Sequence, residues 1–438
     1  MSASQSPSVT YAGPPMPMPA LHTASREAIA AYQLDRLRTG LARVLTGNRF
    51  YQRKLSGCDP RDIRGLDDLR RLPFTVKSEL VADQAEHPPY GSNLTYPPRD
   101  YVRLHQTSGT TGQPLKILDT AESWDWWADC WTTILSAAGV TNEDIVFLAF
   151  SFGPFIGFWS AYEGAKRAGT LVVPGGGQTS PQRLQTILAT NATVLICTPT
   201  YALHLAEVAR EQGIDLHASA VRVTIHAGEP GASIPNTRAR IEEAWGARCY
   251  DHIGMTEMGA YAFTCLNQEN VHVNEAEFIA EILDPITHEP VAEGERGELV
   301  LTNLGRWGSP AIRYRTGDLV RRGQGRCGCG RTYVTLPGGV LGRADDMLVI
   351  RGVNVYPSSI EDALRAIPEV REFRITVFKD GELDEIALEV ECPEDAVPRV
   401  EAALRQSLSL RVPVAAVAPD TLPRFELKAR RVVDRRAG

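Results

Sequence analysis

Ile145-Val146-Phe147-Leu148-Ala149-Phe150 is the first of four short apolar runs that decide the fold of this 438-residue chain. Thr170 to Val173, Thr193 to Cys197 and Val221 to His226 follow, and the segments between them carry helical spacing. Runs this short and this apolar read as strands buried on both faces, and their alternation with helices predicts βαβ units around a parallel sheet. Ligands in such sheets sit beyond the carboxyl ends of the strands. Gly228-Glu229-Pro230 follows one run and Asp251-His252 follows a short strand ending at Tyr250, so both segments fall where a site belongs. Residues 277–320 carry short strands without intervening helices, which predicts a smaller β subdomain.

Working toward the N-terminus, Trp124, Trp126, Trp127 and Trp131 read as a helix packed against the large domain. Residues 61–93 read as Asp/Arg/Pro-rich connections, residues 26–47 as a helix, and residues 1–20 as a Ser/Pro/Met-rich disordered arm without the charged and apolar regions of a signal peptide. Toward the C-terminus a second unit begins near Asp345. Its pattern is strand (Met347 to Arg351), helix (Pro357 to Ala366), strand (Glu372 to Phe378), strand (Glu385 to Glu391), helix (Ala396 to Leu410) and strand (Val414 to Ala418), a βαββαβ order of ferredoxin-like type. The chain therefore divides, on this reading, into an arm, a large domain over 21–344 and a small one over 345–438. A length of 438 residues fits two cores better than one.

Composition removes several classes of function. The formal charge of −7 argues against nucleic acid, and the basic residues after Lys428 are too few to reverse it. No run approaches the roughly 18 apolar residues that a membrane span needs, and the chain reads as cytoplasmic. Eight cysteines without secretion signals read as thiols or metal ligands rather than disulfides.

Thr107-Ser108-Gly109-Thr110-Thr111-Gly112-Gln113-Pro114 concentrates hydroxyls and glycines in one segment that can wrap a polyphosphate with backbone N–H groups. Gln113 stands where a P-loop would have lysine, and Gly109 and Gly112 are too close together for that motif, so a different phosphate site is implied. Three further segments follow in order: Tyr250-Asp251-His252-Ile253-Gly254-Met255-Thr256-Glu257, Tyr314-Arg315-Thr316-Gly317-Asp318, and Gly342-Arg343-Ala344-Asp345-Asp346 running on to Arg351-Gly352-Val353-Asn354-Val355-Tyr356-Pro357. From Thr107 to the C-terminus the chain resembles the acyl-adenylate-forming superfamily, and the last segment resembles its phenylacetate-CoA ligase family.

The resemblance implies roles. Thr107 to Gly112 would hold the β- and γ-phosphates of ATP. Glu257, beside Thr256, would ligate Mg²⁺, a hard cation that takes only one or two protein oxygens when phosphates supply the rest. Asp318 would accept from the ribose hydroxyls, Gly228, Glu229, Pro230, Tyr250, Asp251 and His252 would line the adenine pocket, and Arg343 would reach phosphate or ribose. Lys428 would bridge carboxylate and α-phosphate in the adenylating state, although Glu426-Leu427 stand where relatives often have Ser-Gly. Asp345 would be the hinge on which the small domain turns between two half-reactions.

Phe150, Phe155 and Phe158, in an aromatic-rich stretch with Gly153 and Gly157, form either a flat slot for an aromatic ring or part of the core. Ala260 and Tyr261 follow the Mg²⁺ motif and belong near the substrate carboxylate. Cys265, His272, Cys327 and Cys329 offer a complete tetrahedral set for structural Zn²⁺, the alternative being free buried thiols. The function expected is activation of an aryl or arylacetic acid with ATP, release of pyrophosphate, and transfer to coenzyme A. Transfer to a carrier-protein phosphopantetheine, ligation of AMP to another cofactor, and a silent ligand-binding homologue are the alternatives. A homodimer is what the resemblance suggests for assembly.

Overall fold

The structure is a computed structural model that describes residues 18–107, 113–343, 348–351, 353–380, 383–408, 410–425 and 429–436. The four apolar runs form the strands Ile145–Leu148, Leu171–Pro174, Val194–Cys197 and Val223–His226. With Arg248–Met255 they make a parallel set in the order Leu171–Pro174, Ile145–Leu148, Val194–Cys197, Val223–His226, Arg248–Met255. Three antiparallel strands, Gly259–Thr264, Val271–Val273 and Thr335–Leu336, extend this sheet to eight. Val194–Cys197 and Val223–His226 are buried at every position, as strands covered on both faces must be.

The expected β subdomain is an antiparallel four-stranded sheet of Phe278–Leu283, Arg296–Asn303, Tyr314–Arg321 and Val340–Arg343. Its third strand alternates buried and half-buried residues over Tyr314–Arg321, so every second side chain is directed inward. The tryptophan-rich segment is the helix Ala121–Ala137, with Trp124, Trp126, Trp127 and Trp131 all buried. Thr120 caps it by accepting the Ser123 N–H at 3.1 Å. Trp126 Nε1 donates to Glu277 Oε2 at 2.6 Å, which ties the helix to the β subdomain.

The expected N-terminal helix spans Arg26–Gly47. The segment expected as plain connection holds another helix, Lys77–Glu86, which is largely polar and buries only Leu80 and Asp83. So narrow an apolar stripe gives no periodic signal, and tertiary contacts hold the helix in place.

Two hydrophobic cores are separate: one draws on residues from Ile29 to Leu336, the other on Leu348 to Val412. The second unit corrects the expected sheet. Its first strand, Leu348–Ile350, pairs only with Val353–Val355 as a hairpin. The four-stranded sheet runs Val414–Val417, Leu383–Glu391, Phe373–Asp380, Val432–Asp434, so a strand near the C-terminus completes it. Val432–Asp434 is short and mostly exposed, lacks an apolar run, and joins through parallel pairing with Ile375 to Val377. The helices Pro357–Arg365 and Val397–Leu408 carry the apolar face of this sheet.

Candidate active site

Two strands flank the Ser/Thr/Gly loop, Tyr101–Gln106 and Lys116–Thr120, paired as an antiparallel hairpin. Thr107 closes the stem: its N–H donates to Leu115 O at 3.0 Å and its hydroxyl accepts the Leu115 N–H at 3.0 Å. Ser108, Gly109, Thr110, Thr111 and Gly112 lie outside the described residues, as do Asp345 and Lys428. The strand leaving the loop carries Asp119, fully buried, in a bidentate pair with the equally buried Arg306 at 2.7 Å on both oxygens. Arg306 also donates to the backbone oxygen of Thr256 at 2.5 Å and lies over the Trp127 ring. One guanidinium thus fixes the outgoing strand of the loop to the segment that presents Glu257.

Glu257 is nearly buried, and its Oε1 pairs with Lys77 Nζ at 3.1 Å. Lys77 opens the Lys77–Glu86 helix, whose approach is fixed by Thr75: its N–H donates to Arg313 O and its hydroxyl to Ile312 O. Tyr314, buried next to that contact, has its phenol pKa raised by desolvation, with Glu257 and Asp318 adding to the rise and Arg343 opposing it. Glu257, Asp318 and Arg343 therefore all lie near enough to one buried ring to act on it electrostatically. Asp318 and Arg343 are register partners across two strands, and Arg343 Nη1 reaches Asp318 Oδ1 at 3.4 Å. Tyr261, fully buried, donates its hydroxyl to Asp318 Oδ2 at 3.0 Å. Ala260 is buried beside it.

At the carboxyl ends of the parallel strands, Asp251 accepts the Ser233 hydroxyl, and burial pushes its carboxyl up to about 7. His252 packs against Trp131 with ring centroids 4.4 Å apart and the planes tilted by 31°, burial lowers it to about 3, and both ring nitrogens are without a hydrogen-bond partner among the described residues. Tyr250 is buried in the core with Arg248 over its ring. Gly228 turns the chain with φ of +97°, where a side chain would be strained. That turn delivers Glu229, whose Oε1 accepts the Thr200 N–H at 3.0 Å, and exposed Pro230 follows.

The aromatic stretch divides. Phe150 is buried in the main core, Phe155 is 41% exposed, and the Phe158 side chain lies outside what is described. Cys265, His272, Cys327 and Cys329 do come together, with all four ligand atoms within 4.8 Å of one another. The Cys265 and Cys327 sulfurs are 3.7 Å apart, and Cys329 Sγ is 3.5 Å from His272 Nε2. A tetrahedron with Zn–S bonds of about 2.3 Å has edges of about 3.8 Å, so the thiols have metal spacing, far beyond the roughly 2.05 Å of a disulfide.

Sequence reasoning did not single out Lys77, Asp119, Arg306 or Ser233. Each is an isolated polar residue in an unremarkable stretch, and only the fold brings it to the motifs.

Comparison with known proteins agrees with this geometry. Residues 53–305 match the family model described as AMP-binding enzyme, and residues 352–436 match AMP-binding enzyme C-terminal domain. The phenylacetate-coenzyme A ligase of Thermus thermophilus is 34% identical, with 96% of this chain and 100% of that one covered. That of Pseudomonas putida is 34% identical over 95% of this chain and 96% of its own. Among solved structures, 2-hydroxyisobutyryl-CoA ligase in the postadenylation state with 2-HIB-AMP aligns with a TM-score of 0.90 at 32% identity, covering 95% of this chain and 91% of that chain. The same enzyme in the thioesterification state, with 2-HIB-AMP and CoA, gives 0.73 at 33% identity, covering 96% and 92%. The family model over residues 53–305 and a nearly full-length match to the ligases mean that the chain belongs to the AMP-binding enzyme family, in the phenylacetate-CoA ligase-like group of AMP-forming acid–CoA ligases.

Proposed function

We propose that this ligase activates an aryl or arylacetic acid and transfers it to coenzyme A. In the first half-reaction a carboxylate oxygen attacks the α-phosphorus of ATP, the bond to pyrophosphate breaks, and an acyl-adenylate forms. In the second, the CoA sulfur attacks the acyl carbon, AMP departs with the bonding pair, and the thiol proton passes to solvent. The observation that carries the reading is Asp318 held by the Tyr261 hydroxyl and by Arg343 across two strands, with Glu257 acting on the same buried Tyr314, because one carboxylate, one ribose acceptor and one cation are the set that a nucleotide triphosphate site needs.

Each residue then has a task. Asp318, already oriented by Tyr261 and Arg343, accepts from the ribose hydroxyls. Arg343 lies beside it to meet phosphate, and Asp251 with its raised pKa serves as a hydrogen-bonding partner for the base. Glu257 fits Mg²⁺: it is a nearly buried carboxylate whose present partner is one movable ammonium, that of Lys77. When bound, Mg²⁺ neutralises charge that develops on the phosphates. Lys428 supplies the point cation between the two anions, and Asp345 is the joint between a large domain ending at residue 344 and a small one from 345. Cys265, His272, Cys327 and Cys329 hold a structural Zn²⁺, since all four positions are protein ligands and none is left for substrate.

Support for an aromatic acid comes from the phenylacetate-CoA ligases at 34% identity. The fit to a 2-hydroxyisobutyryl-CoA ligase with a TM-score of 0.90 favours a second reading, a small branched hydroxy acid. Pyrophosphate release with arylacetic acids, benzoic acids and 2-hydroxyisobutyrate, followed by mass analysis of the thioester with CoA present, tests both. Turnover of arylacetic acids at least tenfold above the hydroxy acid is the outcome expected; the reverse order replaces the first reading by the second.

A further inference from the structure

The candidate site and the second core meet at a contact that the two half-reactions do not require in equal measure. Glu229 caps the Pro199–Glu211 helix through Thr200 N–H with one oxygen, and with the other it accepts the backbone N–H of Ala429 at 2.7 Å. Ala429 follows Lys428 directly in the sequence. Two residues later Arg431, only 8% exposed, donates Nη2 to the Thr200 hydroxyl at 3.1 Å. A helix terminus beside the nucleotide segment therefore holds the small unit's chain on both sides of residue 430.

Arg431 is anchored in its own unit as well. Nε donates to Glu372 Oε1 at 2.6 Å, Nη1 to Glu361 Oε1 at 3.2 Å, and the guanidinium lies over Phe373. Its backbone oxygen accepts from Ile375 N at 2.7 Å, at the start of the pairing with Val432–Asp434. If the small unit turns away, those bonds travel with it. Among the described residues the Ala429 and Thr200 hydrogen bonds are given up at this point; Arg431 keeps its carboxylate partners, while Glu229 loses the Ala429 N–H and the nearby Arg431 charge and keeps the Thr200 N–H. A contact built this way closes with defined geometry and lets Arg431 leave with its own carboxylate partners, which suits a domain with two positions.

We infer that Arg431 and Thr200, with Glu229, form a docking latch that positions the Lys428 segment for adenylate formation and is released for thioester formation. The inference rests on the proposed role of Lys428 in the first half-reaction. It agrees with the domain arrangement, which matches the postadenylation structure at a TM-score of 0.90 and the thioesterification structure at 0.73. Arg431 and Thr200 are positioning residues, since they act on the reacting atoms through Lys428.

Thr200→Val is the decisive variant, because it removes the hydroxyl acceptor, keeps the backbone N–H that Glu229 caps, and leaves the small unit untouched. Arg431→Lys keeps the charge toward Glu372 and loses the forked geometry. Lys428→Ala is measured beside them. Adenylate formation is read as pyrophosphate released in a single turnover without CoA, and thioester formation as acyl-CoA made from supplied acyl-adenylate. Thr200→Val should slow adenylate formation about tenfold, in the maximal rate rather than in KM for ATP or acid, and change thioester formation less than twofold, corresponding to about 1.4 kcal/mol on one step. Arg431→Lys should show the same split. Unchanged adenylate formation in both variants, or equal losses in both steps, overturns the latch. If Lys428→Ala loses adenylate formation while the latch variants keep it, the latch alone fails; if Lys428→Ala keeps full adenylate formation, the role of that lysine falls and the latch with it.

Discussion

At the scale of single residues, burial rather than motif membership sets the chemistry. Asp251 lies on a parallel strand with the Ser233 hydroxyl as donor and no cation beside it among the described residues, so desolvation lifts its carboxyl to about 7. Because this folded-state pKa exceeds that of an unfolded aspartate, the folded chain holds the extra proton between roughly pH 4 and 7, and stability declines as pH rises through that window. Asp251→Asn should therefore gain stability over the wild type as pH increases, at most roughly 1.4 kcal/mol per pH unit across the window. Urea denaturation of both proteins at pH 5, 6, 7 and 8 reads the difference; a gap that stays flat with pH would refute the shifted carboxyl. Glu257 is held by Lys77 instead. Glu257→Gln keeps the shape but loses the anionic oxygen, so the Mg²⁺ concentration for half-maximal pyrophosphate release should rise about tenfold or more, on the scale of one lost charge-assisted contact. An unchanged Mg²⁺ dependence would remove Glu257 from the metal site.

Secondary-structure elements were legible in proportion to how far their own residues specify them. Ile145–Leu148 and Val194–Cys197 are uniformly apolar, and Val223–His226, though it holds Thr224 and His226, is buried at every position, so pattern alone finds them to within two residues. The helix Lys77–Glu86 and the strand Val432–Asp434 gain their stability from partners distant in sequence, and no local periodicity announces either. The site shows the same division. Asp318, Arg343 and Glu257 sit in contiguous motifs, whereas Asp119 and Arg306 are 187 positions apart and become a pair only through the fold. That pair joins the loop's outgoing strand to the Thr256 backbone with both side chains fully buried. Asp119→Asn strands the Arg306 charge, and loss of about 3–5 kcal/mol of stability is expected in denaturant titration. The Cys/His cluster likewise links elements: Cys265 and His272 on one edge of the large sheet and the turn holding Cys327 and Cys329. Purified protein should carry about one zinc, with chelation lowering the melting temperature because the metal's binding energy is folding energy. Metal analysis of wild type beside a Cys327→Ser/Cys329→Ser variant checks it; no zinc in either, or equal zinc in both, returns these residues to ordinary thiols.

Across the whole molecule the chain builds two separate cores, and the function proposed above would make catalysis depend on their relative placement. Among the described residues the contacts between them include polar ones: Asn236 with Asp362, Arg240 with the Val370 carbonyl, Arg424 with Glu207, Ser358 with the Leu341 carbonyl, and the Glu229, Thr200 and Arg431 set, beside the Tyr356 ring packed against Gly342. The sequence motif around Asp345 is consistent with a joint there, at a residue with a short side chain that can absorb a large φ/ψ change. Asp345→Pro confines φ to about −65° and should admit one domain orientation only. Single-turnover pyrophosphate release and acyl-CoA formation from supplied acyl-adenylate would then change unequally, their ratio moving at least tenfold in one direction, roughly 1.4 kcal/mol of difference between the steps. Since the present arrangement is the one closer to the postadenylation structure, the step expected to survive is adenylate formation. Small and equal losses in both steps would show that residue 345 is a turn like any other, and would move the joint elsewhere along the segment between the two cores.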